Sequence, residues 1–186
     1  ITFPALKLRP PAQLEYLVEL ASRMIDVDGR VDLYEYCFYR VLRISLGQAV
    51  NPARSPGPRR KARRELRQAA IDLLTVVADY GHEDAAESEK AFGAGRAYFG
   101  KWALAHSYQS REHYTLRALE RSLDLLATLN GKGRQLILKA VTATALHDQR
   151  VTAAETGLIR TICASLDVPL PPLVLARRKT VSNNSE

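Results

Sequence analysis

The stretch Ile25-Asp-Val-Asp-Gly-Arg-Val-Asp-Leu-Tyr-Glu35 decides how the rest of the chain is read. Apolar positions at helical spacing run into it: Leu14, Leu17, Val18, Ala21 and Ile25. Asp28-Gly29 stops that helix, because glycine accepts the left-handed conformation at a helix C-terminus. Asp32 followed three residues later by Glu35 then starts a second helix with a capping-box pattern. A worn copy returns 120 residues on as Leu146-His-Asp-Gln-Arg-Val-Thr-Ala-Ala-Glu155. At that single offset Asp28, Arg30, Val31, Glu35, Arg40, Ser45 and Leu46 repeat as Asp148, Arg150, Val151, Glu155, Arg160, Ser165 and Leu166. Repeated identities at a fixed offset point to an internal helix-turn-helix duplication.

Outward from these turns the remaining segments also read as helices. Leu33 to about Leu46 continues the first copy, and Gly47–Pro58, with Asn-Pro, Ser-Pro and Gly-Pro, reads as a loop. Lys61–Tyr80 carries Leu66, Ala69, Leu73, Val76, Val77 and Tyr80 on one side. Ala85–Ser107 is rich in small residues and studded by Phe92, Phe99 and Trp102, which predicts a central packed helix with a break or kink near Gly93–Gly95. Glu112–Leu129 has leucines at three- and four-residue steps, and Asn130–Gly133 ends it. Arg134–Leu146 and a Thr152-capped helix ending near Leu166 close the fold. No segment alternates with period two, so the expectation is all-α, with about seven helices. Residues 1–175 are expected to form one domain with a basic, Pro-rich loop at 47–60, and 176–186 a polar tail.

Composition bounds the chemistry. At 186 residues, 46% hydrophobic and 25% charged, the chain has ordinary globular balance and enough length to bury a core. No apolar run reaches the roughly 20 residues needed to span a bilayer. The first residue is Ile1, which leads to the expectation that the chain was cut from a longer protein. Cys37 and Cys163 sit inside helical patterns and read as reduced core thiols. Of the net charge of +7, the segment Arg54–Arg67 supplies +6, so the basic character belongs to one loop and one helix start. Arg59, Arg60, Lys61, Arg63 and Arg64 are the candidate contacts for anionic lipid or an anionic protein partner. Nucleic acid is disfavoured, because the run lacks aromatic residues for stacking bases.

The acidic turns are the candidate metal sites. An EF-hand loop wants oxygen ligands at positions 1, 3, 5, 9 and 12 and Gly at 6. Placing Gly29 at position 6 puts Asp26, Asp28, Asp32 and Glu35 at 3, 5, 9 and 12, but Met24 at position 1. The second copy has Leu146 at 3 and Gln149 at 6, so neither copy is a complete Ca²⁺ loop. Capping explains Glu35 and Glu155 without metal; the alternative is a divalent cation shared among the acids. His82, His106, His113 and His147 form no H-E-x-x-H; His106 and His113, on either side of a helix break, are the alternative Zn²⁺ pair to ordinary surface or core histidines. No nucleophile elbow or phosphate-cradling loop is present, so no catalytic residue is assigned.

The duplicated D-G-R-V-x-x-x-E pattern on a helical chain resembles the TerB-like (tellurite-resistance, DjlA-like) family. The run Leu123-Asp-Leu-Leu-Ala-Thr-Leu129, then Val151-Thr-x-x-Glu155, Leu158-Ile-Arg160 and Leu166-Asp-Val-Pro-Leu-Pro-Pro172, is similar to the C-terminal region of HtpX-like bacterial membrane zinc metallopeptidases. That likeness implies a non-catalytic accessory module on the cytoplasmic side of the bacterial inner membrane. Its partner would be the peptidase domain upstream of Ile1, and the zinc would belong to that domain. It also implies divalent-metal binding at Asp26, Asp28 and Glu35, and at Asp148 and Glu155. A free-standing, metal-binding stress-response protein is the alternative.

Overall fold

The computed structural model describes residues 9–26, 32–50, 62–82, 84–109, 116–148 and 152–172. They form seven α-helices: α1 Pro11–Asp26, α2 Leu33–Val50, α3 Arg63–Gly81, α4 Ala85–Arg96, α5 Leu116–Leu126, α6 Gly131–Ala145 and α7 Ala153–Leu166. Two short 3₁₀ turns, Ala97–Phe99 and Lys101–Ala105, follow α4. The protein is all-α, and no strand occurs among the described residues.

The centre of the bundle is α3. Every residue from Ala69 to Asp79 is buried except Asp72, with Leu73, Leu74 and Ala78 wholly enclosed. A helix buried nearly all round must be covered on several sides, and α3 packs against α4, α5, α6 and α7. The sequence expectation had given this central place to Ala85–Ser107. That segment instead forms α4, which ends at Arg96, and two 3₁₀ turns separated by Gly100, whose φ of 73° is the only positive glycine φ among the described residues. The break expected near Gly93–Gly95 falls just past them, where α4 ends at Arg96 and passes into the first 3₁₀ turn. Gly95 serves close packing: a Cβ there would meet Thr144 Oγ1 at 2.0 Å and the Ala140 carbonyl at 2.7 Å.

Other helix bounds also shift. Gly47–Val50 is helical rather than loop, since no proline intervenes before Pro52 and Gly47 sits in open space. Asn130 is not only a terminator: its side chain accepts the Gly133 N–H at 2.9 Å and caps α6, which therefore starts at Gly131.

The duplicated helices lie side by side. The Thr161 hydroxyl reaches the Cys37 carbonyl at 3.4 Å, and Arg40 Nε donates to Ser165 Oγ at 2.8 Å. Contacts therefore advance along α2 and α7 in the same direction, so the two helices run parallel and their N-termini lie at one end of the bundle. Arg40 is 3% exposed and also bonds Asp124 Oδ1 on α5 at 2.7 Å, which ties the three helices together. Only α1 stands apart, packing on the outer side of α2 through a separate small core of Leu14, Leu42 and Leu46.

Candidate functional site

Both second helices start as the sequence implies. In the first copy the Asp32 N–H donates to Glu35 Oε2 at 3.2 Å and the Glu35 N–H to Asp32 Oδ1 at 2.8 Å. In the second copy the Thr152 N–H donates to Glu155 Oε2 at 2.7 Å and the Glu155 N–H to Thr152 Oγ1 at 3.1 Å. These reciprocal bonds satisfy N–H groups that have no partner inside the helix.

The two glutamates then part company. Glu35 is half-buried, whereas Glu155 is 1% exposed. The cover is the C-terminus of α3, where a Cβ at Gly81 would stand 2.4 Å from Glu155 Oε1. Glycine is what lets the carboxyl lie there. With Oε2 committed to the cap, Oε1 is sealed from solvent with no hydrogen-bond partner among the described residues. Burial pushes the Glu155 carboxyl above the usual range; the bonds from Thr152 act against that rise, Asp148 adds to it and His82 opposes it.

Next to Gly81 stands His82. Its Nδ1 lies 3.1 Å from the Ala78 carbonyl. A carbonyl only accepts, so Nδ1 carries the hydrogen, and in the neutral ring Nε2 presents its lone pair. That Nε2 is also sealed without a partner among the described residues. The His147 ring, in the turn after α6, is 6.3 Å from the His82 ring and tilted by 57°. Three elements thus meet at one corner: the end of α3, the turn after α6 and the start of α7. The corner holds two buried polar atoms without a hydrogen-bond partner among the described residues, a carboxyl oxygen and an imidazole nitrogen.

The other expected metal residues are placed unevenly. Asp148 is exposed in the turn beside this corner. Asp26 ends α1 and its side chain, like Asp28, lies outside the described residues. Among the described residues no three His, Cys, Asp or Glu side chains converge as a ready metal-holding group. His82 was the residue that sequence reasoning missed as a neighbour of Glu155; it lies far away in the chain and in no motif.

Arg63 and Arg64 are exposed in the first turn of α3, while Arg59, Arg60 and Lys61 lie outside the described residues. The aromatic partner absent from that run comes from elsewhere in the chain: the Arg67 guanidinium lies over the Trp102 ring at 4.8 Å. Phe99 stacks on the same ring at 5.5 Å, and the His106 ring meets it at 6.0 Å, nearly perpendicular. His113 lies outside the described residues, so a site joining it to His106 does too. Cys37 and Cys163 are buried free thiols, both pushed upward by burial, Cys163 to about 11.

Comparison with protein-family models, with curated proteins and with solved structures finds no match. No helix among the described residues is long and apolar enough to cross a membrane.

Proposed function

We propose that this chain is a non-catalytic helical module, the TerB-like C-terminal region of an HtpX-like membrane zinc metallopeptidase. It would recruit partners or substrates, or sense stress or ions, for a peptidase domain upstream, on the cytoplasmic side of the bacterial inner membrane. The observation that carries this reading is the parallel pairing of α2 and α7. It sets the starts of both duplicated helices, each with its capping glutamate, at one end of the bundle. The test is a casein-hydrolysis assay on the isolated chain. No hydrolysis is expected. Hydrolysis that a chelator abolishes overturns the proposal.

A second reading, a divalent-metal-binding protein acting alone, is favoured by the sealed Glu155 Oε1 and His82 Nε2. It requires that millimolar Ca²⁺, Mg²⁺ or Zn²⁺ raise the melting temperature by mass action, and that Glu155→Gln and His82→Ala each remove the rise. An unchanged melting curve with all three cations refutes it.

A further inference from the structure

The basic start of α3 is not explained by the helix it begins. Cations in a first turn oppose the helix macrodipole, and Ala62 supplies no side-chain cap. At 3.6 residues per turn, Arg63, Arg67 and Arg64 fall within an arc of about 100°, with Glu65 about 100° beyond its edge. Arg67, at the centre of that arc, is the residue that lies over Trp102. Trp102 belongs to the 3₁₀ turn Lys101–Ala105, which also presents exposed Lys101 and Leu104, the latter 63% exposed. Folding has therefore joined a one-signed basic arc to a half-buried tryptophan, on a turn that also carries an apolar side chain standing in water.

We propose that this face docks on a bilayer rich in anionic phospholipid. Arginines meet lipid phosphates while Trp102 and Leu104 enter the interfacial layer. Each part matches what that layer rewards: basic side chains gain from its negative surface potential, a tryptophan settles at headgroup depth, and an exposed leucine gains by leaving water. Single-stranded nucleic acid fits less well. Phe99 is stacked on the Trp102 ring and Arg67 lies over it, so a base would have to displace one of them to stack. A nucleic acid also gives Leu104 nothing. The inference is independent of any upstream peptidase, so its failure and that of the accessory-module reading are distinguishable.

Trp102 is the only tryptophan in the chain, so its emission reports on this face alone. The experiment adds vesicles of equal parts phosphatidylglycerol and phosphatidylcholine, or of phosphatidylcholine only, to the intact chain, with cosedimentation alongside. The anionic vesicles are expected to bind the protein and shift Trp102 emission to the blue, with quenching by brominated acyl chains, and raised salt is expected to reverse the binding. Arg63→Gln with Arg64→Gln should weaken binding roughly thirtyfold, and Leu104→Asn should weaken it without changing the salt dependence. Binding equal on neutral vesicles, binding that leaves Trp102 emission unmoved, or unchanged affinity in the double arginine variant each overturn the proposal. So does an oligonucleotide that quenches Trp102 where anionic vesicles do nothing.

Discussion

Replacing Gly81 with alanine probes the contact on which the Glu155 corner depends. A Cβ at this position falls 2.4 Å from Glu155 Oε1, 3.1 Å from Cδ and 3.5 Å from Cγ, so the whole carboxyl end lies against the terminus of α3. The backbone does not resist the change, since Gly81 has no positive φ, and alanine's helix propensity favours it by at most about 1 kcal/mol. The side chain is what resists. To make room the carboxyl must swing away, giving up the Thr152 N–H bond at 2.7 Å, and losing a cap costs about 1 kcal/mol. Forcing a shift within a packed site adds about 1–3 kcal/mol. Gly81→Ala should therefore lose about 1–3 kcal/mol net, a fall of about 3–9 °C in melting temperature for a chain of this size. The assay is a double-mutant cycle by urea and thermal unfolding of wild type, Gly81→Ala, Glu155→Ala and the double variant. With the carboxyl gone the alanine methyl has room and the cap is lost only once, so the double variant should be more stable than the sum of the singles by about 2–4 kcal/mol. Additivity to within about 0.5 kcal/mol would refute the contact and the corner built on it.

Three further outcomes follow from the same geometry. Gly95→Ala should destabilise by about 1–3 kcal/mol, because backbone and Thr144 leave its methyl no room, whereas Gly93→Ala, with nothing within 4 Å, should stabilise by up to about 1 kcal/mol; paired thermal melts decide. Glu155 holds its proton more tightly folded than unfolded, so its contribution is full below the ordinary carboxyl range and is lost as pH rises through the elevated value. Urea unfolding at stepped pH should show that fall in the wild type and a flatter profile in Glu155→Gln; identical profiles would contradict it. Burial pushes the Tyr36 hydroxyl up to about 12, despite Arg40 beside it. Burial likewise raises Tyr108 to about 12, so spectrophotometric titration should show two late phenols, of which Tyr36→Phe removes one; a titration unchanged by that substitution would speak against it.

Signals carried by residues a few positions apart are legible in the sequence. The Thr152–Glu155 capping box and the Leu119, Leu123 and Leu126 stripe of α5 stand as the pattern implied. What failed was any judgement that needed two distant parts of the chain. Gly93, Gly95 and Gly100 look alike in sequence, yet one faces open space, one abuts α6 and one turns the chain at positive φ. The small residues of α4 mark close approach to a neighbour rather than a central place, which belongs to α3 because its burial runs round the whole helix. The candidate site divides in the same way. Glu155 was legible from its spacing to Thr152, but its burial comes from Gly81, and the bare His82 nitrogen comes from a helix end that no motif links to it. Trp102 over Arg67 is likewise a meeting made only by folding.

The reading of this chain as an accessory module is tested most directly by the sequence of its native reading frame upstream of Ile1. The account predicts apolar spans of about 20 residues and a helix carrying H-E-x-x-H in the same frame. A start codon immediately before Ile1, or an upstream segment with neither feature, would contradict it.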